Sequence, residues 1–279
     1  MTIKNVNKRV ALLIVISFLL ASCAVNSHRA EMEREITLSG MTSENLQINT
    51  LVLRALSKIS APVNILRVYI EGDGFAWINR TTPSADPTPR NPVALKLAMA
   101  DPAANVLYLA RPCQFAASPL PAGCNLHWWT DRRFSSQVVD VMNDALTQLV
   151  QRYPGVQLEM VGYSGGGNIA ALLATRRGDV RSLRTVAGNL DVAYVNALHR
   201  VSPMPQALSA IDVAPQLAAL PQVHFTGAQD TTVPASVAKR YQQAADSRCV
   251  QVIEVPGMDH GSDWAARWPA LLTPPPGCH

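Results

Sequence analysis

Three residues that together could carry acyl transfer stand in the order Ser164, Asp230, His260. A serine hydroxyl is a weak nucleophile until a neighbouring base takes its proton. That base is usually a histidine oriented by a buried carboxylate. Each of the three follows a short apolar run: residues 156–161, 223–226 and 250–255. Runs of this length, bounded by Gly and Pro, read as buried strands. Each candidate is therefore expected just past the C-terminal end of a strand, where open parallel sheets collect their ligands. The serine lies in Gly162-Tyr-Ser-Gly-Gly-Gly167, between its strand and a helical run at 168–174. A G-x-S-x-G turn from strand to helix lifts the serine above the sheet in a strained conformation that needs small neighbours. The helix then aims its first N–H groups at any oxyanion formed there. A phosphate cradle is the competing use of a glycine-rich turn, but G-x-G-x-x-G and a GK[ST] ending are both absent.

Three motifs in this order resemble the α/β-hydrolase family across nearly the whole chain after its export segment. They are Gly162-Tyr-Ser-Gly-Gly166, Gly227-Ala-Gln-Asp-Thr-Thr-Val-Pro234 and Gly257-Met-Asp-His260. The second is similar to the family's G-x-x-D-x-x-V-P acid loop and the third to its G-x-x-H base loop. The resemblance implies that Asp230 orients His260, which acts as general base and then general acid. Asp191 is the alternative acid, since some members place it after the preceding strand. His127, His199 and His224 read as structural or surface residues, His224 within a strand.

The resemblance also implies an oxyanion hole. One donor would be the N–H of Gly165, just after the nucleophile. The other would come from Glu71-Gly-Asp-Gly-Phe75, similar to the family's H-G-x-G with Glu71 in place of His. Asp73 or, after a one-residue slip, Gly74 is the second donor. Gly-Asp-Gly also suits a simple turn. Asp73 would contribute only its backbone, with its carboxylate directed away from the oxyanion.

The elements that must position these groups alternate as an α/β chain does. An antiparallel entry is expected at 35–38 and 46–53, and strands at 66–70, 106–110 and 183–187. A helix begins near Asn91, with Asn91 as N-cap and Pro92 in its first turn. Residues 135–152 carry an apolar helical stripe, and 236–245 are helical. Residues 192–221 could form a small cap. The expected fold is one mostly parallel α/β-hydrolase sheet flanked by helices, spanning 35–279. Trp77, Phe75, Trp128 and Trp129 could line an acyl pocket or fill the core.

The first 22 residues read as a signal. Lys4, Lys8 and Arg9 precede an apolar stretch at 10–20 that is shorter than the roughly 20 residues a spanning helix needs. Leu20-Ala-Ser-Cys23 resembles the bacterial lipobox, which implies a lipidated Cys23 carrying palmitate-type chains, followed by a tether at 23–34. Ala24 in place of Asp favours the outer membrane, facing the periplasm, by resemblance to bacterial sorting rules. Of five cysteines, four then remain: Cys113, Cys124, Cys249 and Cys278. In an oxidising compartment these suggest two disulfides with three possible connectivities, local pairing 113–124 and 249–278 being the expectation. The chain of 279 residues is 48% hydrophobic with a net charge of +4. It has no Lys/Arg run, so nucleic-acid binding has no support. No His/Cys cluster has metal-ligand spacing.

The sequence thus reads as a lipid-anchored serine hydrolase of the cell envelope, acting on a small-molecule ester, thioester or amide with no diffusible cofactor. A peptidase with the same three residues and a non-catalytic binding protein on the same fold are the alternatives. The acyl preference and the oligomeric state are not written in it. Two disulfides predict that the exported protein gains mass on reduction; an unchanged mass would remove them.

Overall fold

Strands with two buried faces need helices on both sides, which parallel strands obtain through helical crossovers. The computed structural model, which describes residues 30–278, is built this way. Its strands are β1 (Thr42–Ile48), β2 (Leu51–Lys58), β3 (Ile65–Ile70), β4 (Val106–Leu109), β5 (Gln157–Tyr163), β6 (Val180–Val186), β7 (Gln222–Gly227) and β8 (Val250–Val255). They form one sheet in the order β1-β2-β4-β3-β5-β6-β7-β8. β2 runs antiparallel to β4, and the pairs from β4 through β8 are parallel. This is the α/β-hydrolase fold.

The strand order fixes the position of the site. The chain passes from β3 outward to β4 and then returns across β3 to β5. β3 and β5 are adjacent, with Ile70 paired to Gly162 at their C-terminal ends. Two loops that leave in opposite directions open a crevice at such a switch point. The loop after β3 starts at Glu71, and the turn after β5 carries Ser164.

Residues 30–38 form α1, followed by α2 (Val93–Ala100), α3 (Ser136–Val150), α4 (Gly165–Ala174), α5 (Val192–Leu198), α6 (Ala210–Val213), α7 (Ala235–Ala245) and α8 (Trp264–Leu271). α3 follows the apolar stripe: Val138, Met142, Ala145 and Leu149 are buried. Ser135 caps it by accepting from the Val138 N–H. The segment 192–221 contributes α5, α6 and a 3₁₀ turn rather than a separate layer.

Three local expectations are corrected and one helix is added. Residues 35–38, expected as a strand, lie inside α1. The expected single strand at 46–53 is a hairpin, because Asn49 takes a positive φ of 53° and turns the chain between β1 and β2. α2 starts at Val93 with Pro92, not Asn91, at its N-cap. α8 is an addition, since Pro269 inside it argues against a helix. Tertiary packing wins there: Trp264 and Trp268 are both fully buried. The Trp268 indole N–H donates to the Tyr69 hydroxyl (2.6 Å), which donates to Asp101 Oδ2 (2.5 Å). Arg67 bridges Asp101 and Glu159 at 2.8 Å each, so this polar cluster has partners throughout.

Both expected disulfides, Cys113–Cys124 and Cys249–Cys278, are present. The signal at 1–22, Cys23 and most of the tether lie outside the described residues. The compact unit that begins at Ser43 contains every site residue considered below.

His224 makes the core sensitive to acid. It is fully buried on β7 with Nδ1 2.8 Å from Thr185 Oγ1 and its ring edge-on to Tyr241. Burial pushes its pKa down to about 3, against an ordinary 6.5. The unfolded chain therefore takes up a proton near pH 6.5 that the folded protein refuses. Stability is lost as pH falls from about 6.5 toward about 3. Lowering the pH from 7 to 5 should cost the wild type about 2 kcal/mol more than His224→Leu. Urea denaturation at the two values measures this; equal losses would contradict it.

Candidate active site

Ser164 sits between β5 and α4 with φ 50° and ψ −122°. A non-glycine residue in that region stores on the order of 1–3 kcal/mol and persists only where its surroundings dictate it. They do so here. The Ser164 N–H donates to the Val186 carbonyl (3.0 Å), and its own carbonyl accepts from Gly167 N–H (3.0 Å) and Asn189 N–H (2.9 Å). The two arms of the turn nearly touch: a Cβ at Gly162 would lie 2.3 Å from the Gly166 carbonyl oxygen. No side chain fits there.

Asp230 and His260 come to Ser164 from the ends of β7 and β8. Ser164 Oγ is 3.0 Å from His260 Nε2, and His260 Nδ1 is 2.8 Å from Asp230 Oδ2. A carboxylate can only accept, so Nδ1 carries the proton and Nε2 is left to accept from the serine hydroxyl. Asp230 has its side chain fully buried, while His260 is one-fifth exposed. Asp230 Oδ1 takes the N–H groups of Thr232 and Val233, each at 2.8 Å, which turns Oδ2 toward the imidazole. The His260 carbonyl accepts from the Tyr163 hydroxyl at 2.9 Å and from the Trp264 indole at 3.3 Å. Two aromatic residues thus hold the His260 loop on the turn that carries the serine.

The other candidates fall elsewhere. Asp191 caps α5 through the Tyr194 N–H and pairs with Arg240 at 2.8 Å. His127 pairs with Asp131 on the surface, and His224 lies in the core. His199 donates from Nε2 to the Thr232 carbonyl, at the rim of the site. Phe75 and Trp77 line cavities beside Ser164, whereas Trp129 is core and Trp128 packs against it.

The loop after β3 is held by Glu71, which is wholly buried. Its carboxylate accepts from Gly72 N–H (2.9 Å), Ala94 N–H (3.3 Å), Leu95 N–H (3.2 Å) and the Tyr108 hydroxyl (3.1 Å). It therefore caps α2 from across the fold, which is why neither Asn91 nor any other local side chain does so. Burial raises its carboxyl above the ordinary range, and the four donors pull against that. The sequence marked Glu71 only as a departure from His; its role is long-range and left no local signal.

Gly72 spends its N–H on Glu71, so it is unavailable as an oxyanion donor. Among the described residues, the N–H groups of Asp73, Gly74 and Gly165 have no acceptor. The Asp73 carboxylate was expected to point away, but it stays beside the turn. A Cβ at Gly165 would lie 2.0 Å from Asp73 Oδ1. Its charge is answered by Arg133 Nε at 2.9 Å and Arg111 Nη1 at 3.4 Å. Arg111 is buried, which pushes its pKa down to about 10, and it remains a cation at neutral pH. Neither arginine was recognisable in advance, since both lie in the 111–135 loop and reach the site only through folding. Gln114 in the same loop, next to the disulfide-bonded Cys113, donates to the Gly72 carbonyl at 3.0 Å.

Comparison with protein-family models finds no match, and neither does comparison with curated proteins. Solved structures do match in fold. A bacterial membrane phospholipase A superimposes with a TM-score of 0.58 at 15% identity, over 97% of this chain and 98% of that one. An α/β serine hydrolase homologue from Coxiella burnetii gives 0.54 at 15% identity, over 82% and 93%. The esterase domain of a Rhodothermus marinus protein gives 0.54 at 15%, over 83% and 95%. At these identities the likeness extends to the fold.

Removing Glu71 should unseat the loop. Glu71→Leu leaves three N–H groups and a hydroxyl buried without an acceptor, at a cost of at least about 3 kcal/mol. Urea denaturation reads this directly. A loss under about 1 kcal/mol would mean that the loop does not depend on Glu71.

Proposed function

We propose that the protein is a serine hydrolase of carboxylic esters, in which Ser164, His260 and Asp230 act as nucleophile, base and orienting acid. The observation that carries this reading is the continuous hydrogen-bonded chain from Ser164 Oγ through the His260 ring to Asp230, with the serine in a strained turn at a sheet switch point. A binding protein has no use for that alignment.

The chemistry follows the geometry. His260 Nε2 takes the hydroxyl proton as Ser164 Oγ bonds to the ester carbonyl carbon. The negative charge that develops on the carbonyl oxygen is met by the N–H of Gly165 and by a second N–H from Asp73 or Gly74. The C–O bond to the alcohol breaks, and the imidazolium returns the proton to the leaving oxygen. Water, deprotonated by the same imidazole, then hydrolyses the acyl-enzyme and restores the serine. Asp230 compensates the positive charge of the imidazolium in both halves. No step asks for a diffusible cofactor. Thioesters and amides would follow the same course with different leaving groups.

Location is the sequence's contribution to the proposal. The signal at 1–22 and the lipobox ending in Cys23 support a lipid-anchored protein of the bacterial envelope, facing the periplasm from the outer membrane.

A fluorophosphonate probe tests the reading, because it labels a serine only where the hydroxyl is activated. The wild type should be labelled and Ser164→Ala should not, while His260→Ala should be labelled at least about 100-fold more slowly. Unlabelled, well-folded wild type would favour a non-catalytic role.

A further inference from the structure

Ser164 stands at the junction of two cavities. The larger, of about 510 Å³, is lined on its apolar side by Trp77, Val195, Val201, Pro203, Met204 and Val233. The smaller, of about 270 Å³, holds Phe75, Tyr163 and His260. His260 lines only the smaller one. Under the hydrolase reading, the alcohol takes its proton from His260 Nε2 as it leaves. It departs on the side of His260, and the acyl group is left with the larger cavity.

The charged side chains of the larger cavity are engaged. Asp73 is met by Arg133 and Arg111, and Asp131 lies 2.7 Å from His127 Nδ1. Arg80 donates to the carbonyls of His199 and Arg200 at 3.3 Å, and His199 donates to that of Thr232 at 2.7 Å. Each charge in this wall has its partner, so the acyl group that suits it is neutral.

Asn189 is the exception among the polar side chains. It is buried and lines the larger cavity together with Ser164. Its backbone N–H donates to the Ser164 carbonyl at 2.9 Å, which sets the residue beside the nucleophile. Its side-chain Oδ1 is buried without a hydrogen bond. An unpaired buried amide oxygen costs the fold stability and gives it nothing in return. Asn168, buried on α4, is treated differently. Its Oδ1 accepts from the Ala210 N–H at 2.6 Å, and its Nδ2 donates to the Leu208 carbonyl at 3.0 Å. The fold thus pairs both ends of one buried asparagine and leaves open the one that adjoins Ser164. With no bond to hold Oδ1, the Asn189 amide is able to turn and offer either its oxygen or its N–H₂ to the cavity. Asn196, also buried, brings a second amide to the same cavity.

We propose that the acyl half of the preferred ester is an apolar chain bearing a neutral hydrogen-bonding group, a hydroxyl or an amide, close to its carbonyl carbon. Asn189 is the specificity-determining residue that receives this group. The inference rests on the hydrolase reading above and adds to it the nature of the acyl group. Ligand cavities are mostly apolar, and a few placed polar groups fix orientation and choice. A site that pairs with a polar group of the substrate discriminates against the analogue that lacks it, because its own polar atom is then left unpaired.

Methyl esters of four acids of equal chain length test it: hexanoic, 2-hydroxyhexanoic and 3-hydroxyhexanoic acid, and N-propanoylglycine. Acid release is followed in a pH-stat, and each kcat/KM is divided by the ester's own rate of hydroxide hydrolysis. At least one polar ester should then exceed the hexanoate by at least about fivefold, the value of one neutral hydrogen bond. The three polar arms show whether hydroxyl or amide is received, and at which chain position. Asn189→Leu, similar in size, should bring the polar-to-hexanoate ratio close to one. Where thermal unfolding shows that Asn189→Leu does not fold, Asn189→Ala, which only removes atoms, is held to the same ratio. Methyl acetate should be at least about tenfold slower than the hexanoate, since it forgoes four buried methylenes. A hexanoate that matches or exceeds every polar ester in the wild type overturns the proposal, and so does a loss in the variant that falls equally on all four esters. Equal acetate and hexanoate rates overturn the assignment of an apolar chain to the larger cavity. A protein labelled at Ser164 by fluorophosphonate that shows no polar preference overturns this inference alone. One that is neither labelled nor active overturns the hydrolase reading as well.

Discussion

The site depends on one close approach, between the end of β3 and the turn that follows β5. Ile70 is paired with Gly162, and the backbone of Gly162 lies so near that of Gly166 that no side chain fits between them. That crowding forces the strand to turn straight into α4, and it holds Ser164 at a positive φ. The same approach brings the Glu71–Phe75 loop against the first turn of α4, where unpaired N–H groups from the two elements come together. A wider spacing would relax the serine and separate the donors. The backbone strain and the packing of β3 on β5 are therefore two aspects of one constraint.

Such a junction concentrates polar groups where water is scarce, and the protein handles them in two ways. Glu71 is buried and surrounded by donors, so its carboxylate becomes a fastener between the loop, α2 and Tyr108. Asp73 is half-buried beside Ser164 and is balanced by Arg111 and Arg133, which flank the segment closed by Cys113–Cys124. An unpaired carboxylate there would oppose the charge that develops on a substrate carbonyl. Paired, it anchors the backbone of Asp73 and Gly74, whose N–H groups have no acceptor among the described residues. The residues on either side of the disulfide thus contribute to the site through Asp73.

The surroundings of Ser164 are unequal on their two sides, and His260 decides which side is which. The His260 ring lines the cavity that Phe75 and Tyr163 also line, and not the one beyond Trp77. Apolar residues of α5 and the segment after it line the cavity beyond Trp77, and Phe75, Arg90 and Asn91 line the one that holds His260. Residues 192–204 contribute one wall of the cavity that Trp77 and Val233 also line, instead of a lid over the sheet, because α5 is anchored through Asp191 to Arg240.

The sequence by itself determined the α/β alternation, the serine turn, and the order of the loops that carry Asp230 and His260, because strand periodicity and glycine-bracketed turns are local signals. The cysteine pairs were also legible, each being close in the chain. What it could not determine were interactions between distant segments. Asn49 turned an apparent single strand into a hairpin, and residues 35–38 joined a helix although their pattern suits a strand. Trp264 and Trp268 made a helix around a proline because both indoles had a place in the core. Asn91 lost its capping role to Glu71, twenty residues away in sequence. Arg111 and Arg133 reached Asp73, and Arg90 settled on Phe75, through the folding of loops whose sequences carry no period. Local chemistry is written in the order of residues; which charge answers which is decided only when the sheet brings its edges together.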